Sequence, residues 1–428
     1  MEERYNVMTN QSQKMTSRRQ IANVSILGTT QLHLRNPRIV AWWSAAFPGF
    51  GHLLLSKYLR GFLLITWEVV VNLNANLNMA IFYSFIGEVD KAKEVLNKEW
   101  MLLYIPLYIF AIWDSYRTAV DMNNNYKLAA REDAEIKAFN ISALEINHLD
   151  KRSPLNAFIW SALMPGAGQL YIHRIVTGAF ILIWWIAVIC CSKLLPAIHY
   201  SLLGQIQEAK AVLDIQWTLN IPSIYGFSVY DAYVNTVENN KLYDWEQSKF
   251  LKRQYQDEAF KMPMKDGRQR RNRMYIIATF EHDNYLELAI TAMEMKGIKK
   301  EKILGIPLDK RGESRRLFDT IHYSDGLSLL DLGAALGTIF MLLGSIYGFV
   351  LKWGPIWWAL IGLGFGFTLG CAIKLITTKK YEKHRSHKGQ ASEVVLIIEC
   401  HQEEMEMTKS TLWENHALGV SQLDFASG

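Results

Sequence analysis

Apolar positions in this chain of 428 residues come in long runs separated by polar segments. Residues 1–35 are rich in Ser, Thr, Gln and Asn and read as a flexible arm. The run 39–55 is broken at Pro48-Gly49, where proline removes a helix hydrogen bond and glycine loosens the backbone, so a bent or re-entrant pair of short helices is expected. Runs 61–82 and 179–198 are long enough to cross a bilayer, and 100–120 and 217–237 would return. A polar segment with helical character follows each return, at 123–150 and 239–259. Beyond position 273 the period changes. Segments 274–280, 302–307, 394–399 and 418–423 alternate as strands, and 284–296 and 403–416 repeat as amphipathic helices. Two apolar helices, 327–351 and 356–376, interrupt that series around Gly354-Pro355.

Self-similarity organises the first two thirds. Pro48-Gly49-Phe50-Gly51 returns as Pro165-Gly166-Ala167-Gly168, 117 positions on. At the same offset Trp43 meets Trp160, Gly61 meets Gly178, Trp100 meets Trp217, and Asp114 meets Asp231. This predicts a tandem duplication. The expected order is an arm (1–35), membrane repeat 1 (36–150), membrane repeat 2 (151–260), a basic linker (261–273) and a C-terminal domain (274–428). The fold class is a mainly α, polytopic helical membrane protein. Its small α+β domain has two βαβ halves that would close into a ferredoxin-like sandwich around a transmembrane hairpin inserted at about 326–377.

Composition supports a membrane chain: half of the residues are hydrophobic and 14 are Trp. A net charge of +5 gives no reason to expect nucleic acid. The basic residues matter for topology instead. Arg35, Arg38, Lys57 and Arg60 flank the first Pro-Gly segment, and Lys151, Arg152 and Arg174 flank the second. Because positive charge marks the cytoplasmic side, six crossings with two re-entrant elements are favoured over eight crossings. Both termini would then be cytoplasmic. The polar start holds no cleavable signal sequence. Cys190, Cys191, Cys371 and Cys400 lack ligand or disulfide spacing and read as small hydrophobes.

Among individual residues, Gly333, Gly337, Gly344 and Gly348 on the first hairpin helix, and Gly362, Gly366 and Gly370 on the second, recur in the spacing of a glycine zipper. Small residues so placed let helices approach closely in lipid, either within the hairpin or between protomers. Asp114 and Asp231 close matching spans, where a headgroup contact or turn cap is expected. Glu68 lies inside an apolar span, and Asn72 and Asn76 follow at helical spacing. That stripe could line a wet crevice, but pairing of Glu68 with Lys57, Arg60 or a neighbouring helix is preferred. His282, Cys400 and His401 each follow a strand, and if those strand ends met they would offer soft and imidazole ligands. Ordinary loop residues are the favoured reading, so no metal and no cofactor is expected. No nucleophile–base pair, phosphate loop or nucleotide fingerprint is present, which argues against an enzyme.

Two resemblances follow from these motifs. The repeated unit resembles a family of small domains with two transmembrane helices. Pro48, Gly49, Gly51, Tyr58, Gly61 and Asp114 carry the likeness in one copy, and Pro165, Gly166, Gly168, Tyr171, Gly178 and Asp231 in the other. Each copy departs from the family by about one extra helix between the glycine and the aspartate. Residues 274–423 look like a bacterial general-stress family whose βαβ halves flank a glycine-rich hairpin. The resemblance implies a location in the bacterial cytoplasmic membrane, and neither family supplies a substrate. The expected function is non-enzymatic: assembly, envelope organisation or stress-linked regulation, with a small transporter or channel as the alternative. Expected partners are the lipid bilayer, an unidentified protein, and a second copy through the glycine hairpin.

Overall fold

The computed structural model describes residues 18–256, 260, 273–308, 330–379 and 394–423, with backbone alone at 273 and 377–379. It is mostly helical with a small sheet region. The chain divides into two compact units. Among the described residues, the first takes 18–148, 153–236 and 330–379, and the second takes 149–152, 237–256, 260, 273–308 and 394–423.

The first unit opens with a hairpin, β1 (Ala22–Ser25) and β2 (Gly28–Gln31), in part of the stretch expected to be a flexible arm. Alternating burial of Ala22 and Val24 and the turn at Gly28 explain the order there. Residues 1–17 of that arm lie outside the described residues. Next come α1 (Pro37–Ala46), α2 (Phe50–Leu54), α3 (Tyr58–Ala75), α4 (Leu77–Phe85), α5 (Val89–Val95) and α6 (Lys98–Glu132). A second hairpin follows, β3 (Phe139–Ile141) and β4 (Ile146–His148), where a helical segment was expected. Then come α7 (Pro154–Leu163), α8 (Ala167–Tyr171), α9 (Ile175–Ser192), α10 (Leu194–Leu202), α11 (Ile206–Val212) and α12 (Ile215–Thr218). The series ends with α13 (Ile221–Gln254), whose residues belong to the first unit as far as Thr236. From α1 to α5, both bounds of each helix recur 117 positions later in α7 to α11.

Local chemistry recurs with the bounds. Asn36 caps α1 and Ser153 caps α7, each followed by a proline at the first helical position. The Tyr108 hydroxyl donates to the Ala45 carbonyl and Tyr225 to the Ala162 carbonyl, both at 2.9 Å. Gly49 and Gly166 hold φ of 103° and 102°, where a side chain would be strained. A Cβ there would also stand 2.6 Å and 2.8 Å from the carbonyls of Gly61 and Gly178. The break, the positive φ and the later glycine thus form one close approach in each half.

Two expected spans are not single helices. Asn76 (φ 52°) separates α3 from α4, and Lys193 (φ 56°) separates α9 from α10. Among the described residues, three helical segments are long and apolar enough to cross a membrane: Ile175–Ser192, Leu330–Gly348 and Gly354–Ile376. The pair α5–α6, bent by 92°, passes only if taken together. Arg60, Glu68, Asn72 and Asn74 dilute the hydropathy of α3.

The second unit contains β5 (Arg273–Phe280), α14 (Asn284–Met295), β6 (Ile303–Pro307), β7 (Val394–His401), α17 (Met405–Glu414) and β8 (Gly419–Leu423). The chain between β6 and β7 carries the hairpin of the first unit, α15 (Leu330–Gly348) and α16 (Gly354–Lys379). The sheet order is β6-β7-β5-β8, with every neighbouring pair antiparallel. Residues 274–307 and 394–423 therefore build one sheet although the hairpin separates them in sequence. Its core sets Ile276, Ala278 and Phe280 beside Val394, Leu396 and Ile398, under Leu286, Ile290 and Met293 of α14 and Leu412 of α17. Every second residue of β7 is buried, the period that pins strand register. The basic linker 261–273 lies outside the described residues except for the backbone of Arg273, which opens β5, and so do 326–329 of the expected hairpin insertion.

Candidate functional site

Three groups of predicted residues find partners in the helical unit. The two aspartates come first. Asp114 accepts from His52 Nε2 at 3.0 Å and from Arg60 Nη1 at 3.1 Å. Asp231, with no exposed surface, accepts from Arg174 Nη1 at 3.0 and 3.1 Å, Gln169 Nε2 at 3.2 Å and Asn235 Nδ2 at 2.7 Å. His52 and Gln169 sit in α2 and α8, the short helices that Pro48-Gly49 and Pro165-Gly166 start, Arg60 and Arg174 follow them in sequence, and Asn235 comes from α13, four residues after Asp231. Where a headgroup contact or a turn cap was expected, both carboxylates are held by donors from within the unit. Buried charges need such partners because an unpaired one loses its hydration uncompensated.

The glycines of the break set that distance. A Cβ at Gly51 would collide with Ser44 Oγ and the Val40 carbonyl, and one at Gly168 with Ser161 Oγ and the Ala157 carbonyl. Without them α2 could not lie against α1, nor α8 against α7.

Glu68 forms the second group. It is 3% exposed, and its Oε1 accepts from Asn72 Nδ2 at 3.0 Å, one turn later on α3. Asn72 Nδ2 also reaches Asn78 Oδ1 at 3.3 Å. Gln216 Nε2 donates to Asn72 Oδ1 at 2.7 Å, and Gln216 Oε1 accepts from the Met79 backbone N–H at 2.9 Å. Asn78 Nδ2 in turn donates to the Gln216 carbonyl at 2.8 Å and to Asn220 Oδ1 at 3.3 Å. Tyr104 approaches the carboxyl from α6. The result is a buried amide network ending on one carboxyl.

Of the predicted stripe, Glu68 and Asn72 belong to this network and Asn76 does not. Asn76 provides the left-handed turn and donates to the Val95 carbonyl, and its turn brings Asn78 back toward Asn72. Of the partners expected for Glu68, a neighbouring helix supplies Tyr104 of α6, while Arg60 serves Asp114 instead. Gln216 and Asn220 have no signal in the sequence, since they flank Trp217 as isolated amides. In the second half Trp185 replaces Glu68 and packs near Tyr225, with ring centroids 6.1 Å apart.

The hairpin glycines form the third group. Those of α16 face the backbone of α15: a Cβ at Gly362 would strike the Phe340 carbonyl, one at Gly366 the Leu336 carbonyl, and one at Gly370 would lie 2.5 Å from the Leu332 carbonyl. From the other side, Gly344 meets Trp358, Gly348 meets Pro355, and Gly333 meets Cys371. Gly337 is looser, with Leu363 at an ordinary 3.4 Å. Within the chain, then, the glycines pack the hairpin against itself.

His282, Cys400 and His401 do not converge. β5 and β7 are neighbours but antiparallel, so Phe280 faces Val394 while Met274 faces Cys400. Their trailing ends point opposite ways along the sheet. His282 donates from Nδ1 to Gln247 Oε1 at 2.9 Å, and Ser248 lies 3.2 Å from its Nε2. The Cys400 thiol is pushed up to about 11 by burial and then by the Glu404 and Glu399 carboxylates, which leaves it protonated and inert. Among the described residues no cluster of three His, Cys, Asp or Glu is placed to hold a metal ion.

No family model, curated protein or solved structure matches the chain.

Proposed function

We propose that this is a non-enzymatic integral membrane protein acting in assembly, envelope organisation or stress-linked regulation through a cytoplasmic ferredoxin-like domain. The observation that carries the reading is the position of the apolar hairpin in the chain. It separates β5 and β6 from β7 and β8, and those four strands make one sheet. A domain closed across a membrane hairpin is tethered to the bilayer at two points. The strand order also equals that of a βαββαβ ferredoxin-like sandwich. Two copies of one helical unit would form the rest of the membrane body, a reading supported by the helix bounds and hydrogen bonds that recur at the offset of 117. On α6, Leu102, Leu103, Ile109, Phe110 and Trp113 are exposed, a surface suited to lipid rather than water. The motif resemblances to two-helix membrane domains and to a bacterial general-stress family agree with this assignment. The bacterial cytoplasmic membrane, with both termini inside, is the proposed location.

The test uses the full chain with single cysteines at Lys57 and Lys151. Retention in the membrane fraction after alkaline extraction, with both sites labelled from the cytoplasmic side, is expected. Release into the soluble fraction, or labelling of position 57 only from outside, would overturn it.

A second reading, a small transporter or channel, rests on the Glu68–amide network, which joins the first half to Gln216 and Asn220. Flux of ions or solutes in liposomes, compared with Glu68→Gln, separates the two readings.

A further inference from the structure

We propose that Glu68 is a proton-binding site, with its carboxyl carrying a proton on Oε2 while Asn72 holds Oε1 as an acceptor. The site rests on the burial of Glu68 within the helical unit, and it stands whether or not that unit lies in lipid.

Three observations point to a proton as the ligand. First, Glu68 is 3% exposed and forms no ion pair with any Lys, Arg or His among the described residues. A buried carboxylate without a cation pays a solvation cost that neutralisation removes. Second, the two oxygens differ. Oε1 is engaged by the Asn72 amide, while Oε2 is buried and makes no hydrogen bond of ordinary geometry. Third, the neighbouring amides are arranged against a metal cation. Asn72 Oδ1 is filled by Gln216, Asn78 Oδ1 by Asn72, and Asn220 Oδ1 by Asn78. Asn72 turns its N–H groups toward both Glu68 and Asn78, so a cation placed there would meet donors, whereas a proton needs only the one vacant oxygen.

The titratable groups facing the carboxyl are Tyr104 and Tyr108, both on α6. Tyr108 commits its hydroxyl hydrogen to the Ala45 carbonyl, so it supplies no proton to Glu68. The Tyr104 hydroxyl can donate to the ionised carboxylate or accept from a protonated Oε2, so it serves both forms of the site. The donors run from Gln216 to Asn72, which serves both Glu68 and Asn78; the branch to the carboxyl ends there. With Trp185 at the equivalent position, the second half has no counterpart of Glu68 there.

The experiment treats the full-length protein with dicyclohexylcarbodiimide, an apolar reagent that attacks carboxyl groups carrying a proton away from water, and maps the adduct by mass spectrometry. Glu68 should be modified near neutral pH, with labelling falling several-fold as the pH rises from roughly 5 to 9, a range starting above the ordinary carboxylate value. Added sodium or potassium should leave labelling unchanged, and Glu68→Gln should abolish it. Suppression by either cation at fixed pH would replace the proton with a metal ion and overturn the proposal. Infrared spectra of the purified protein cover the case in which the reagent fails to enter. A protonated-carboxyl carbonyl band lost in Glu68→Gln is expected, and its absence from the unsubstituted protein overturns the proposal.

Discussion

In the first helical half Asp114 takes His52 and Arg60, whose side chain is 60% exposed; in the second, Asp231 takes Arg174, Gln169 and Asn235 with all four groups buried. Glu68 stands inside the first half where the second has Trp185. Yet the helix bounds, the proline–glycine break and the tyrosine-to-carbonyl bonds coincide. The comparison separates two kinds of position. Glycines and main-chain-directed hydrogen bonds set the backbone, and they agree between halves. The polar side chains around the buried carboxylates fill the interior, and there the halves differ.

The largest effect should break the halves apart. Arg174→Ala leaves Asp231 buried without its cation, with only the Gln169 and Asn235 amides on it, which costs about 3–5 kcal/mol. Arg60→Ala removes an exposed partner and should cost about 0–1 kcal/mol, with His52 still in place. Chemical denaturation of the two variants in one detergent checks this, and equal losses would mean that burial does not distinguish the sites. An intermediate effect should show the halves as alike. Gly51→Leu and Gly168→Leu each force a side chain into a neighbouring carbonyl and serine, an overpacking cost of about 1–3 kcal/mol. Matching losses in thermal stability are expected, and a tolerated substitution in one half alone would show that the close approach is not shared. The smallest effect concerns Tyr108→Phe and Tyr225→Phe. Each deletes one hydrogen bond to a carbonyl, for about 1 kcal/mol apiece. A difference well beyond that between the two would place one hydroxyl in a further role.

Much of this arrangement can be read from sequence because it is periodic. Strands such as Val394–His401 alternate buried and half-buried residues, and the hairpin helices are largely apolar, with the charged Asp331 and Lys374 near their ends, so their type and order follow directly. The breaks at Asn76 and Lys193 are different. Asparagine enters the left-handed region more readily than most residues, a weak mark at Asn76 among several asparagines, whereas nothing local marks Lys193. The short hairpins at 22–31 and 139–148 have strands of four and three residues, too few for a period to emerge. Within the Glu68 site, Asn72 was legible as a helical neighbour one turn away. Asn78 was not, because it reaches the site only after the Asn76 turn, and Gln216 arrives from the other half. His282 and Cys400 show the limit of reading strand ends alone. His282 follows β5 and Cys400 lies near the end of β7, and antiparallel pairing places those ends at opposite edges.

The central claim, a sheet domain closed across an inserted membrane hairpin, is tested most directly by hydrogen exchange on the full chain after residues 321–380 are excised and replaced by a short flexible linker. A two-stranded unit is marginal alone, so protection must come from pairing between the halves. The account predicts that amides of β5 and β7 exchange as slowly as in the intact protein. Rapid exchange in both strands, with the helices of 37–254 still protected, would contradict it.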